Sequence, residues 1–238
     1  MSLYDRNRQR DRVSEGYFEE EQIQRSSSEL SIFIKETYQL FAASLMAGAA
    51  GAYAGVGVAG AIAANYWLIA IPWLLFGVFG LNFLKRKPGI NYIALFAFTF
   101  VGGMIIGPLL SHVLAFSNGT FLVASSFITT SVIVGALSIY AMNSQTDFSS
   151  WGKPLMIALV IVIIASLINM FFFQSPLMVV AISGITVMIF SALVLYDTQN
   201  IIQGAYETPI DGAIALYLDF LNIFVSLLQI FGILGGDD

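Results

Sequence analysis

Two aspartates, Asp197 and Asp219, interrupt sequence that is otherwise strongly apolar. Asp197 follows the run LVLY, and Asp219 lies 22 positions further on, inside the run LYLDFLNIF. A charged carboxylate near the centre of a bilayer costs roughly 2.5 to 3.5 kcal/mol even on a lenient insertion scale, so an ionisable residue there is a functional candidate by default. The two carboxylates are therefore the first place to look for chemistry.

Two carboxylates at the same depth in the membrane can bind a proton, a basic side chain or a metal ion, and these three compete for the same oxygen atoms. Two carboxylates about 4 Å apart repel by roughly 4 kcal/mol at an effective dielectric constant of 20, which corresponds to about three pKa units. We therefore predict that Asp197 and Asp219 form a pH-sensitive metal site, where calcium would also need oxygen atoms from water or backbone carbonyls. The alternative is structural: Asp197 would be a hydrated helix-end residue, and Asp219 would be hydrogen-bonded within the protein.

Polar side chains continue from Asp219 along one side of the last apolar segment. At 100° per residue they fall within an arc of about 80° on a helix. Such a stripe cannot face lipid without leaving polar groups unpaired, so it should face other helices or a water-filled path. On the preceding segment, a further amide side chain shares the face of Asp197. The predicted polar pathway consists of Asn200, Asn222, Ser226 and Gln229.

The composition indicates which elements position these side chains. Of the 238 residues, 58% are apolar and 11% are charged, against roughly a quarter charged in a soluble domain. Seven apolar runs reach the length of about 20 residues that a helix needs to cross a bilayer. They lack the alternation of barrel strands, so we predict an all-α membrane protein with seven transmembrane helices. The polar stripe on the C-terminal helix predicts that this helix lies at the centre. The approximate limits are Tyr38–Ala61, Tyr66–Leu84, Ile90–Leu110, Thr120–Met142, Pro154–Phe173, Leu177–Thr198 and Gly212–Leu234.

Small residues recur at four-residue spacing in two of these runs. Gly51 and Gly55 lie in the first run, and Gly103 and Gly107 lie in the third. Small residues let helix backbones approach closely where lipid supplies no hydrophobic drive to pack. We therefore interpret both pairs as helix-packing positions.

The basic residues indicate how the chain is oriented. All ten lysines and arginines lie before the first apolar run or in the loops after the second and fourth runs. Because basic loops stay in the cytoplasm, the N-terminus is predicted to be cytoplasmic. Residues 1–30 are polar and mixed in charge, and are predicted to be a disordered cytoplasmic tail or a partner-binding arm. Residues 31–238 would form the transmembrane domain.

The remaining residues exclude several kinds of chemistry. The chain has no cysteine and one histidine, which rules out zinc–thiolate sites and sites with two histidines. It also has no phosphate-binding loop and no basic patch for nucleic acid. We therefore expect no obligatory cofactor, no nucleic-acid partner and no enzymatic activity. An intramembrane aspartyl protease is a less favoured alternative, because its second aspartate follows Gly-x-Gly and Asp219 follows Leu-Tyr-Leu.

The runs LVLYDTQNII and ALYLDFLNIFVSLLQIFGIL closely resemble the Bax-inhibitor-motif family, and in particular its bacterial members. The resemblance extends through FIKETYQLFAASLMAGAAGAYAG and INYIALFAFTFVGGMIIGPLLS. It implies seven helices with the last one surrounded by the other six, in a bacterial plasma (inner) membrane.

The resemblance also carries two functional expectations. The first is a pH-sensitive calcium-permeable leak gated by the Asp197–Asp219 dyad, whose partners would be calcium ions, protons and the lipid bilayer. A basic residue after the second helix would act as a gating latch, and by motif this is Lys85, with Arg86 beside it. The second expectation is a non-conducting regulator of a membrane-embedded quality-control protease complex, as in some bacterial relatives.

Overall fold

The computed structural model describes the backbone of residues 3–236 and the side chains of residues 26–236. In this part of the chain every regular element is helical. Two π-helical segments, Phe76–Gly80 and Asn169–Phe173, and one 3-10 turn, Ser149–Trp151, adjoin the α-helices. The α-helices are α1 Leu3–Gly57, α2 Ala59–Ala64, α3 Tyr66–Leu75, α4 Leu81–Leu84, α5 Ile90–Ile105, α6 Gly107–Leu114, α7 Gly119–Asn143, α8 Gly152–Ile168, α9 Pro176–Ile202 and α10 Pro209–Gly235.

Six helical stretches among the described residues are long and apolar enough to cross a membrane. The pair α5 and α6, bent by 40°, makes a seventh if it counts as one span. The prediction of an all-α membrane protein is therefore confirmed. The six stretches are Ser26–Gly57, Tyr66–Leu84, Gly119–Asn143, Ser149–Phe173, Pro176–Ile202 and Pro209–Gly235.

The third predicted span is broken. We expected one helix over Ile90–Leu110, whereas α5 and α6 are separated at Ile106, whose backbone has φ −82° and ψ −3°. Pro108 lies in the first turn of α6. Proline has no N–H to donate to the preceding turn, and it disfavours helical backbone in the residue before it. Pro108 therefore accounts for the bend, which the hydropathy pattern alone does not indicate.

The first helix begins earlier than the hydropathy of the chain indicates. α1 is helical from Leu3, within the segment 1–30 that we predicted to be disordered. That segment has no proline, one glycine and many arginine, glutamate and glutamine residues, which are good helix formers. The side chains of residues 1–25 lie outside the described part, so the division into a tail and a domain at residue 30 stays a prediction.

α10 lies at the centre of the helix bundle. In its most apolar window 50% of the residues are buried, against 28% or less in the other five unbroken candidate spans. It packs against α9, α1, α7 and α5. Leu216, Ile223 and Leu228 on this helix are fully buried. The predicted central position of the C-terminal helix is therefore confirmed.

A short connection, residues 203–208, joins α9 to α10. Gly204 has φ 65°, a left-handed conformation that glycine adopts without strain and that ends α9 sharply. Thr208 and Asp211 then form a capping box that begins α10, with Pro209 in its first turn. Because the connection is tight, the last turns of α9 and the first turns of α10 lie at the same level.

α1 and α5 approach each other through glycine. A Cβ atom placed on Gly51 would lie 1.9 Å from the carbonyl oxygen of Phe100, and one on Gly103 would lie 1.9 Å from the carbonyl oxygen of Gly48. Both obstacles are backbone atoms, which cannot rotate away as a side chain can. The glycine spacing in the sequence therefore marks a direct backbone contact between two helices.

Candidate functional site

The structure brings Asp197 and Asp219 together. Asp197 lies near the end of α9 and Asp219 in the first half of α10, and their exposed fractions are 7% and 3%. The two carboxyl groups are within hydrogen-bonding reach of each other. Both line one cavity of about 840 Å³ between α8, α9 and α10. The side-chain contact on which the predicted dyad depends is therefore present.

The two carboxylates differ in their partners. The hydroxyl group of Tyr206 donates a hydrogen bond of 2.6 Å to Oδ1 of Asp197. Oδ2 of Asp219 is buried and has no hydrogen-bond partner among the described residues. A buried polar oxygen without a partner costs free energy unless a proton, a water molecule or a cation satisfies it. This oxygen therefore fits either a proton shared with Asp197 or a cation at the dyad.

The dyad provides only part of a metal site. No group of three or more histidine, aspartate or glutamate side chains in the described part of the chain could hold a metal ion. Calcium takes six to eight oxygen ligands, so water or hydroxyl groups would supply the others. The remaining cavity lining consists of Ser149, Ser150, Gly152, Lys153, Met156, Leu159, Phe190, Leu193, Tyr196, Tyr206, Ala215 and Leu218. A calcium site at the dyad therefore stays a prediction.

Tyr206 was not among the predicted site residues. It lies in the connection between α9 and α10, which turns back over Asp197 after Gly204. Burial raises the pKa of Tyr206 above its ordinary value, and the negative charges of Asp197 and Asp219 raise it further. The phenol therefore stays protonated and remains a hydrogen-bond donor. The sequence did offer one indication of this role, since Tyr206 is a polar aromatic residue in the short loop that follows the helix of Asp197.

Lys85 and Arg86 form ion pairs with carboxylates outside the predicted dyad. Nζ of Lys85 lies 3.0 Å from Oε2 of Glu207 and 3.1 Å from Oδ1 of Asp211, and Arg86 also pairs with Glu207. Among the described residues, neither basic side chain contacts the dyad. The predicted latch thus ties the loop after α4 to the start of α10, and its gating role stays a prediction.

The environment of Lys85 explains this choice of partners. Burial opposes the charge of Lys85, but hydrogen bonds and the charges of Glu207 and Asp211 together raise its pKa above the ordinary value. The side chain of Lys85 is 13% exposed, whereas that of Arg86 is 74% exposed. Lys85 is therefore the member of the pair held firmly in place.

The pKa of Glu207 predicts a pH-dependent contribution to stability. Hydrogen bonds from Lys85 and Arg86 lower this pKa below the ordinary glutamate value. A lowered pKa stabilises the fold above the value of the unfolded chain, and this contribution is lost as the pH falls through the value in the folded protein. We expect Glu207→Gln to lower the thermal midpoint at pH 7 by a few degrees at most, because solvent screens the ion pairs of Glu207 with Lys85 and Arg86. The difference from wild type should close as the pH falls below the pKa of Glu207.

Thermal unfolding in detergent, repeated from pH 8 to pH 3, measures this effect. Glu29→Gln is a matched control, because Glu29 is an exposed glutamate on α1 and should follow wild type at every pH. A gap between Glu207→Gln and wild type that stays constant down to pH 3 would contradict the ion-pair explanation.

The structure places the predicted polar pathway in two separate regions. Asn222, Ser226 and Gln229 line a second cavity of about 470 Å³, walled by α3, α8, α9 and α10. There, Oε1 of Gln229 accepts a 2.8 Å hydrogen bond from Ser183. Asn200 instead lies beside Tyr206, on the side of the dyad. A continuous path through all four residues stays a prediction.

Comparisons with known proteins agree with this architecture. Residues 30–236 match the family model described as "Inhibitor of apoptosis-promoting Bax1". A protein of Campylobacter jejuni is 48% identical over 236 residues, which are 97% of each chain. "Modulator of FtsH protease YccA" of Escherichia coli is 36% identical over 166 residues, 68% of this chain and 75% of the relative. "Bax inhibitor 1" of Schizosaccharomyces pombe is 32% identical over 183 residues, 73% of this chain and 67% of the relative.

The family match covers the described spans from residue 30 onward, including the two helices that carry the aspartate dyad. The relatives from Vibrio cholerae and Escherichia coli are described as a membrane protein and an inner membrane protein, in agreement with a multi-pass membrane protein. The chain therefore belongs to the Bax inhibitor family of membrane proteins.

Proposed function

We propose that this protein is a membrane-embedded regulator of a membrane protease. The observation that carries the proposal is its similarity to the Escherichia coli relative named as a modulator of FtsH protease. The relatives' names describe inhibition and modulation rather than catalysis. Two spans, Tyr66–Leu84 and Ser149–Phe173, offer surfaces that a partner could contact inside the bilayer. In the most apolar window of each span, only 6% of the residues are buried within the protein.

Co-purification and protease turnover test this function. The full-length protein, tagged and extracted from its native membrane in mild detergent, is expected to retain an FtsH-type protease. Deleting the gene should change the half-life of a membrane substrate of that protease at least twofold. Unchanged half-lives together with the absence of the protease from the purified material would refute the regulator.

The second candidate function is a pH-sensitive calcium-permeable leak at the dyad. It is favoured by the contact between Asp197 and Asp219 and by the buried, unpartnered Oδ2 of Asp219. Protons and calcium would compete for the same carboxylates, so a fall in pH would displace the bound cation. Calcium entry into proteoliposomes that contain a calcium-sensitive dye tests this function.

Both functions require an orientation, which we propose to be N-terminus in the cytoplasm of a bacterial inner membrane. The chain has no cysteine, so single cysteines can report the side of each loop. Ser117 and Gln145 are both exposed, in the loops before and after α7. We expect a membrane-impermeant maleimide to label Ser117→Cys in intact cells, and to label Gln145→Cys only after the membrane is permeabilised. The reverse pattern would invert the topology.

A further inference from the structure

A basic residue lines the cavity that contains the aspartate dyad. Lys153, in the first turn of α8, lines this cavity together with Asp197 and Asp219. In the part of the chain that the structure describes, no carboxylate forms an ion pair with Lys153. The basic residue predicted for this role, Lys85, is held by Glu207 and Asp211 instead. Lys153 is thus the basic side chain that shares a space with the dyad.

Lys153 is exposed, and the packing of the residue before it places its backbone beside this cavity. A Cβ atom on the preceding residue, Gly152, would lie 2.8 Å from the ring of Tyr196, so the first turn of α8 rests directly on α9. Tyr196 is the neighbour of Asp197 in the chain. A glycine at position 152 therefore permits the close approach that brings the lysine stem to the mouth of the cavity.

The position of Lys153 is unfavourable for its own helix. The N-terminal turn of a helix carries partial positive charge, which disfavours a cation there. The carboxylates across the cavity supply the opposite charge, and Oδ2 of Asp219 has no described hydrogen-bond partner. These carboxylates offset the unfavourable position of Lys153 on its helix, in addition to the orientation signal that a basic residue gives in a cytoplasmic loop.

We propose that Lys153 is a tethered cation that competes with diffusible divalent cations for the carboxylates of Asp197 and Asp219. The inference rests on the proposed cation site and assigns the residue that sets its affinity. When the ammonium group of Lys153 enters the cavity, a calcium ion can bind there only after it has displaced this group. Removing the charge at position 153 should therefore tighten calcium binding, without adding a ligand.

Calcium binding to the full-length protein in nanodiscs tests this proposal. Equilibrium dialysis with radioactive calcium at 150 mM salt gives the half-saturating concentration. We expect Lys153→Gln to lower this concentration about three- to thirtyfold. Lys153→Arg should not lower it, because arginine keeps the charge and pairs with carboxylates at least as well as lysine. Lys87→Gln is the matched control, since Lys87 is exposed and lies over the ring of Phe83, outside the cavity.

The outcomes separate the role of Lys153 from the cation site itself. Equal affinities of wild type and Lys153→Gln, in preparations whose binding is lost in Asp197→Asn/Asp219→Asn, would overturn the role of Lys153 and leave the site standing. An equal gain in Lys87→Gln would overturn it as well, because the effect would then be a general surface potential. Absence of calcium binding in wild type and Lys153→Gln alike would remove both the site and the inference. Equal thermal midpoints without calcium confirm that the variants are folded.

Discussion

Calcium entry into proteoliposomes is expected to fall to the level of empty vesicles when Asp197 and Asp219 are both replaced by asparagine. Asparagine keeps the size of the side chain but removes the charge and the titratable proton. The cavity would then have no anionic group to attract a divalent cation, and no group through which pH could act. Flux in wild type should depend on pH, whereas the residual flux of the double variant should not.

Three variants make this experiment decisive. Asp147→Asn removes one negative charge from an exposed loop residue and should behave as wild type. Asp197→Asn and Asp219→Asn each leave one titratable carboxyl group, so a pH dependence should remain in both. The double variant should be no less stable than wild type, because it relieves repulsion between two like charges in a buried pair. Wild-type flux from a folded double variant would end the leak hypothesis.

The same double variant separates the two proposed functions. A regulator that acts by contact with a protease needs the helix surfaces, not the carboxylates inside the bundle. If protease turnover in cells is normal with the double variant while calcium flux is lost, the two functions rest on different parts of the protein. If both are lost together, regulation depends on the ion site.

The sequence was sufficient to predict that Asp197 and Asp219 lie together. Asp197 and Asp219 stand out because a carboxylate in an apolar segment is costly, and helical spacing placed both near one end of neighbouring helices. The polar stripe on the last helix predicted its central position for the same reason, since polar groups cannot face lipid. Both predictions depend only on local periodicity and on the properties of the bilayer.

The partners of the dyad could not be predicted in this way. Lys85 pairs with Glu207 and Asp211 because the tight turn at Gly204 brings the start of α10 next to the loop after α4. That same turn places the hydroxyl group of Tyr206 on Asp197. These contacts depend on the path of a six-residue connection, which has no periodicity from which to infer it.

The largest expected effect on stability comes from adding one methyl group at Gly103. The new Cβ atom would lie 1.9 Å from the carbonyl oxygen of Gly48, so Gly103→Ala must push α1 and α5 apart. Overpacking a well-packed contact typically costs 1–3 kcal/mol, and in lipid the close backbone approach is itself what holds two helices together. We expect the free energy of unfolding in detergent to fall by about 1–3 kcal/mol.

Gly135→Ala is the matched control, because it adds the same methyl group at a position where no neighbouring atom obstructs it. Gly135 is exposed on α7, and a Cβ atom there would meet no atom within 4 Å. Because alanine is the better helix former by up to about 1 kcal/mol, this control should be neutral or stabilising. Gly103→Ala should therefore lower the unfolding free energy, whereas Gly135→Ala should leave it unchanged or raise it. Equal effects at the two positions would mean that α1 and α5 do not touch through their backbones.

A double substitution tests whether the two glycines belong to one contact. Gly51→Ala should also be destabilising, since its Cβ atom would lie 1.9 Å from the carbonyl oxygen of Phe100. Once one alanine has forced the helices apart, the second meets less resistance, so the cost of both together should be smaller than the sum of the single costs. Strict additivity would indicate two independent contacts. A coupling of 0.5 kcal/mol or more would show that one helix crossing, set by glycine, positions α1 and α5 against the central helix that carries Asp219.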